Sequence, residues 1–469
     1  MIQRFIKPAA LCAVFFVLLL SVFAQKVFSG TNRFADAYAE YAHPLTGAGD
    51  LAPLIDAAKT RNFVLLGETT HGTHEYYVWR AEISKALIQD HGFAFIAVEG
   101  DWPAMLRLNN YVRLKDNSGT SAEEVLRSFD RWPYWMWGNT EFADFAEWLR
   151  GFNKNLPPEK RVGIYGMDVY GAWDAMDDVL EFYRTRRPAE EMAAREKDYE
   201  GFAAFRDDFY RYIRASADAE AVREITQGVQ DAYHATRDLW ENAPEGGRED
   251  KFYAMVAALS AMQAERSFRN SNAPGQSSWN ARAAHMSFAI DRLREFAAET
   301  RGVKTRENAI ENIRGIVWAH NTHIGDARAG SMWQQHGMDN IGKSLREKHG
   351  DNRVFSVGFS AYQGVTLAGQ RWGTPHEAMR FPPPRRGSLE DVLAQVDTGT
   401  ADKLFLFPPA DEISDTPLER ILEHRGVGVV HRENLRETRP YPPTVPARRY
   451  NAVIFLKDTG PLTPLHTPE

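Results

Sequence analysis

The stretch Phe63-Val64-Leu65-Leu66-Gly67-Glu68-Thr69-Thr70-His71-Gly72-Thr73 decides the fold. Its first four residues form a short apolar run that reads as a buried strand. The polar, glycine-punctuated turn after it opens a segment of helical period. That segment runs from about His74 to Asp90, with apolar Tyr76, Ile83 and Leu87, and Gly92 is placed to end it as a left-handed C′ residue. Phe93 to Val98 is the next apolar run. A strand, a helix and a second strand of this length make a βαβ unit, which implies a parallel pair joined by a right-handed crossover.

The same texture recurs downstream. Val162–Met167, Gly315–Ala319, Val354–Phe359, Leu404–Phe407, Val427–Val430 and Val453–Leu456 all read as short buried strands. Near-continuous apolar strands suit a sheet covered on both faces. The expected class is therefore α/β, a three-layer, mostly parallel sheet flanked by helices. Between about Trp173 and Arg301 the pattern becomes helical throughout. Phe202, Phe205, Phe209 and Tyr212 recur at intervals of three and four, as do Phe252, Met255, Val256, Leu259 and Met262. These stripes read as helix–helix packing in an insertion at about 173–301. Phe381 to Arg386 reads as a loop, and the residues from Pro461 onward as a poorly ordered tail.

Composition narrows the function. The chain has 469 residues, 43% hydrophobic and 25% charged, with a net charge of −7. No basic block stands out, so no nucleic-acid partner is expected. The single cysteine, Cys12, lies in the N-terminal apolar run, which leaves the body without a disulfide, a thiolate metal site or a cysteine nucleophile. Arg4 and Lys7 precede an apolar stretch from about Ala9 to Phe23, and Val22-Phe23-Ala24 then offers a cleavage site. Residues 1–24 are expected to be a secretory signal peptide or an N-terminal membrane anchor, with residues 25–469 as the catalytic body, periplasmic or secreted.

The chemistry is carried by where the polar residues fall. The first strand runs into Glu68 and His71, the second into Glu99 and Asp101, the third into Asp168, and the fourth into His320-Asn321-Thr322-His323. In an open parallel sheet the strand carboxyl ends share one edge, and ligands bind in the crevice there. Taken singly, each residue has a structural reading. A carboxylate after a strand is often a helix cap, a lone histidine is often a core residue, and Arg80 on the first helix could be a surface ion pair. Their convergence on one edge points to a site.

No Gly-x-Ser-x-Gly elbow is present, no His-Glu-x-x-His helix, no Gly-x-Gly-x-x-Gly after a strand and no P-loop. A cluster of histidine, glutamate and arginine without serine or cysteine suits activation of water by an imidazole oriented by a carboxylate.

Leu66-Gly67-Glu68-Thr69-Thr70-His71-Gly72-Thr73 with Glu75 and Arg80 resembles the opening signature of the erythromycin esterase family. Val98-Glu99-Gly100-Asp101-Trp102 fits that family, as does Trp318-Ala319-His320-Asn321-Thr322-His323-Ile324-Gly325-Asp326. Weaker matches include Trp279-Asn280 with His285-Met286, and the resemblance spans about Phe34 to Leu465. It implies a parallel α/β core with a helical appendage, and hydrolysis of a macrolide lactone by water. It assigns the general base to His71, with Glu68, Arg80, Glu99 and His320 around it. No cofactor is required on this resemblance, although more distant relatives use similar residues for metal-dependent hydrolysis, so a divalent metal stays open. Two features depart from the family: the exported N-terminus, and Ala283 where an acidic residue is expected after Arg282.

The expected enzyme hydrolyses a small-molecule carboxylic ester or lactone. His71 takes a proton from water, Glu68 or Glu99 orients it, and Arg80 or His320 stabilises the oxyanion. Trp102, Tyr170 and His323 are expected to line the substrate cleft, with Asp168 and Glu75 completing the substrate-contacting set. Two alternatives use the same residues differently. One is a metal-dependent peptidase or phosphoesterase, and the other is a non-catalytic envelope or exopolysaccharide protein.

Overall fold

The computed structural model describes residues 34–466, apart from 245–246, 274, 304–309, 311 and 433–440. The expected signal peptide or anchor lies outside the described residues. No helix among the described residues is long and apolar enough to cross a membrane.

Nine strands form the central sheet: β1 (Ala42–Leu45), β2 (Phe63–Leu66), β3 (Phe95–Asp101), β4 (Gly163–Asp168), β5 (Gly315–Trp318), β6 (Val354–Gly369), β7 (His376–Phe381), β8 (Asp402–Leu406) and β11 (Ala452–Thr459). Two short strands, β9 (Leu422–Glu423) and β10 (Pro443–Thr444), pair apart from it. The sheet order is β1-β8-β11-β6-β2-β5-β3-β4, with β7 paired to β6. From β11 to β4 every neighbouring pair is parallel, while β8, β1 and β7 add antiparallel pairs. From β2 the chain moves outward to β3 and β4. It then returns to place β5 between β2 and β3, and continues to β6 on the other side of β2. The strand order therefore reverses beside β2 and β5, the position where an open α/β sheet forms its crevice.

Alternation along the strands divides the core into two faces. Val64, Leu66, Ile96, Val98, Ile316 and Trp318 point to one face, against helices α1 (Ala52–Ala58), α2 (His74–His91), α3 (Trp102–Val112) and α4 (Thr140–Asn153). Phe63, Leu65, Ala97 and Val317 point to the other. That face is covered by the helical segment α5 (Ala172–Arg186), α6 (Ala189–Ala203), α7 (Arg223–Glu241), α8 (Arg248–Arg269) and α9 (Ser277–Thr300), joined by α10 (Ile341–His349). α9 lies directly against β3 and β4, and α8 packs outside it. α2 ends as the sequence implies: Gly92 has φ +68° and its N–H bonds the Leu87 carbonyl.

Three expectations need correction. Val427–Val430 is not a strand of the sheet. Preceded by Gly426 and interrupted by Gly428, it crosses the carboxyl edge instead, with the Val427 N–H donating to the Thr69 carbonyl at 2.7 Å. Strands β1 and β7 are additional. Pro44 in β1 obscures the first, and an edge position tolerates the missing donor. In β7, alternation of buried and exposed residues leaves no apolar run to notice.

The third correction concerns residues 461–466, which are packed rather than loose. Leu462 and Leu465 are buried, and the Leu465 N–H bonds the Gly138 carbonyl at 2.8 Å. The ring of His466 stands against Tyr134. Leucines three and six residues past a strand are ordinary core anchors.

Candidate active site

A cavity of about 330 Å³ opens at the carboxyl edge of the sheet, where the strand order reverses. His71, Glu99, Asp168, Tyr170, His320 and His323 line it. They come from the carboxyl ends of four different strands and the loops that follow them, and their convergence begins with backbone packing. Gly67 leaves β2 so close to Asn321 that a Cβ there would sit 2.0 Å from its Oδ1. The Asn321 amide in turn donates to the Phe359 carbonyl at 2.7 Å, and its backbone N–H donates to the Glu68 carbonyl at 2.9 Å. One residue thus ties the turns after β2 and β5 to the middle of β6.

His71 is held by Glu68. The imidazole Nδ1–H donates to Glu68 Oε1 at 2.9 Å, which leaves Nε2 as the free nitrogen of a cavity-lining ring. The other Glu68 oxygen lies 3.0 Å from Arg80 Nη2. Glu68 and Arg80 are fully buried, and the guanidinium is sandwiched by Tyr77 at 4.2 Å and Trp318 at 4.9 Å. Burial pushes the proton affinity of His71 down, but the charge and hydrogen bond of Glu68 outweigh it, so its pKa rises above the usual 6.5.

His320 is neutral and fully engaged. Its Nε2–H donates to the Thr69 carbonyl at 3.1 Å, and its Nδ1 accepts the Thr322 backbone N–H at 3.2 Å. Burial, followed by the neighbouring His71, lowers its pKa to about 4. The two imidazole rings stand 5.0 Å apart.

A second network faces them. Glu99 Oε2 accepts the His320 backbone N–H at 2.8 Å, and Oε1 lies 2.8 Å from Arg282 Nη2 and 3.2 Å from His323 Nε2. Arg282 also grips Asp168 with two bonds, Nε to Oδ1 at 2.8 Å and Nη2 to Oδ2 at 2.6 Å. Burial would raise the pKa of Glu99, but His323, Arg282 and His71 together hold it well below the carboxylate norm. Asp168 is lowered in the same way, with Arg282 overcoming burial.

Several residues sit elsewhere than the sequence suggests. Trp102 is no wall of the cleft. It begins α3 on the face under the helical segment, stacked on Tyr165 at 5.9 Å and packed against Phe252. Glu75 does not reach the cavity; its carboxylate accepts the Gly460 N–H, at 2.9 Å from Oε2. Arg80 is sealed behind Glu68 and cannot meet an oxyanion. Neither can His320, whose ring nitrogens are both spent. Glu99 does not hold the His71 ring, because Glu68 does.

The sequence reading passed over Arg282, although it lies within the Trp279 to Met286 motif. A lone arginine in an alanine-rich buried stripe was the available signal. It also passed over the aromatic segment Phe129–Trp137 and Trp372. That segment supplies Phe129, Tyr134 and Trp137 to the outer wall, and Trp372 lies tilted against Trp132 with ring centroids 4.6 Å apart.

The chemistry this arrangement allows is a carboxylate-held imidazole base beside an arginine. No serine or cysteine is among the residues lining the cavity. Glu68, His71 and Glu99 offer ligand atoms within 4.8 Å of one another, which is the spacing of a metal site. Both carboxylates, however, already face a guanidinium at hydrogen-bond distance. A dication would have to displace or repel those charges, so the donor set fits a metal poorly.

Comparison with known proteins places the chain by family and by fold. The family model for erythromycin esterase matches residues 88–459. A Bacillus subtilis (strain 168) protein named "Putative hydrolase YbfO" is 22% identical over 396 residues, covering 81% of this chain and 84% of its own length. The fold is shared with the crystal structure of a succinoglycan biosynthesis protein, with a TM-score of 0.71, 18% identity, and coverage of 93% of this chain and 99% of the other. It is also shared with a Bacillus cereus protein, with a TM-score of 0.74, 17% identity and the same coverage. A variant of the erythromycin esterase EreC in its open conformation superposes with a TM-score of 0.58 at 14% identity, covering 89% of this chain and 95% of the variant. With the erythromycin esterase model matched over residues 88–459, most of its length, this chain belongs to the erythromycin esterase family and is a hydrolase of a small-molecule substrate.

Proposed function

We propose that the enzyme hydrolyses a carboxylic ester, lactones included, by direct attack of a water that His71 activates, without a metal. The observation that carries this reading is the dyad. His71 Nδ1 is bound to a carboxylate that is itself backed by a buried arginine, and Nε2 is left for a cavity that offers no serine or cysteine nucleophile. A base must be neutral to act. Activity should therefore fall as pH drops through a value above 6.5, the direction in which Glu68 moves His71. Thr322 Oγ1 lies 2.9 Å from His320 Nδ1, but an imidazole with a pKa of about 4 is too weak a base to make that hydroxyl a nucleophile.

The test is a hydrolysis panel read by mass spectrometry, with and without chelator, beside His71→Ala. Simple lactones, aryl esters, esterified glycans and a macrolide lactone belong on it. The glycans earn their place because one similar structure carries a polysaccharide-biosynthesis name. Gain of one water mass, insensitive to chelator and lost in a folded His71→Ala, is the expected result. Full activity in that variant overturns the base assignment. Activity abolished by chelator and restored by a divalent ion moves Glu68, His71 and Glu99 into the role of metal ligands. The charged and apolar N-terminus supports a periplasmic or secreted location, which fractionation of cells expressing the tagged protein tests.

A further inference from the structure

We propose that Arg282 is the electrophile of the reaction, the group that receives the negative charge developing on the ester carbonyl. This rests on the ester reading above, and it arises from comparing the arginine and histidine side chains around His71; Arg107, which also lines the cavity, lies over the Phe129 ring. Of the cations at the sheet edge, Arg80 is fully buried behind Glu68. Arg131 is turned to the Asp101 carboxylate and the Trp132 carbonyl. His320 spends one ring nitrogen on Thr69 and the other on Thr322. His323 keeps Nδ1 fully buried, away from the cavity.

Arg282 remains, and it is only partly spent. A guanidinium has five N–H donors. Nε and Nη2 supply three of them to Asp168 and Glu99. The two left are both on Nη1. That nitrogen is 3.2 Å from His323 Nε2, which is itself 3.2 Å from Glu99 Oε1. The single lone pair of that ring nitrogen can take at most one Nη1 N–H, which leaves the other without an acceptor. The guanidinium is thus fixed by carboxylates on two sides, with an uncommitted donor at its remaining end, on the wall of the cavity. Glu99, which holds it, offers an oxygen within 4.8 Å of a His71 ring nitrogen. Arg282 is also close enough to oppose protonation of His71.

The step balances as follows. His71 Nε2 takes a proton from water as the water oxygen bonds the carbonyl carbon, and the carbonyl π pair moves onto oxygen opposite Arg282 Nη1. The tetrahedral adduct then re-forms the carbonyl and breaks the bond to the alcohol oxygen, which leaves with the proton from His71. Preorganised charge at such a position acts on the transition state more than on the neutral ester.

The experiment uses Arg282→Lys and Arg282→Ala in the full chain, on the panel ester that the unmodified enzyme turns over fastest. Lysine keeps the charge opposite Asp168 and Glu99 but has no counterpart of Nη1. Arg282→Lys is therefore expected to fold, with kcat down about 10²–10³-fold and KM little changed. In Arg282→Ala, added guanidinium chloride at millimolar concentration should restore part of kcat. The acid limb of its pH profile should move to higher pH, because a charge opposing protonation of His71 is gone. Arg282→Lys with kcat within tenfold of the parent overturns the proposal, as does loss in Arg282→Ala that guanidinium does not relieve. A panel on which the unmodified enzyme is silent overturns the ester reading and this role with it. Activity lost in His71→Ala but kept in both Arg282 variants overturns this role alone.

Discussion

The site holds two arginine–carboxylate networks, and they are built in opposite ways. In the first, Glu68, His71 and Arg80 come from one loop and the helix it opens, and the glutamate–arginine pair is closed to solvent. In the second, Glu99 and Arg282 are 183 residues apart, the carboxylates belong to two strands and the arginine to α9, and the arginine side chain is 12% exposed on the cavity wall. The sealed pair can only hold another group in place, whereas the open one can meet a substrate. The difference teaches that equal charge does not mean equal work: the solvent-closed guanidinium can reach only Glu68, which holds His71, while the open one faces the cavity.

The comparison is sharpened most by Glu68→Gln. It removes the charge that orients His71 and raises its pKa, while burial, which lowers it, remains. The rate kcat/KM should fall about 10²–10⁴-fold, and the surviving activity should have its acid limb at lower pH than the parent. A limb that stays put would mean Glu68 does not set the base. Next is Arg80→Met, which strands a buried carboxylate. Thermal or denaturant unfolding should show a loss of about 3–5 kcal/mol, more than Arg282→Met, whose carboxylates can take up water from the cavity. Equal losses would erase the distinction between sealed and open. The smallest effect belongs to Glu75→Ala, which frees the Gly460 N–H. It should cost about 1 kcal/mol and leave the pH profile unchanged, so any catalytic defect there would restore Glu75 to the site.

The same contrast explains what was legible in the sequence. The βαβ unit, the parallel sheet and the first network could be read because their parts are close in the chain, and because period and turn chemistry act locally. Glu68, His71 and Arg80 fall within a single motif. Arg282 could not be placed, because its partners are set by how α9 settles on β3 and β4. Trp102 was misplaced for a related reason. Its neighbours Asp101 and Glu99 belong to the site, but the turn into α3 sends the indole to the far side, against Phe252. Val427–Val430 has strand composition and lies across the sheet edge, which no local pattern distinguishes from lying within it. The packed Leu462 and Leu465 show that a position near the end of a sequence does not by itself mean a loose tail.

The position of β11 has a consequence for how the molecule is made. It sits between β6 and β8, and the segment after it is clasped by Glu75 at the start of the helix that carries Arg80. During synthesis, β6 and β8 must wait with unpaired edges until residues 452–459 have left the ribosome. An incomplete chain therefore exposes a sticky strand edge before it can assemble a working base, and nascent chains stalled short of residue 452 should be chaperone clients without hydrolytic activity.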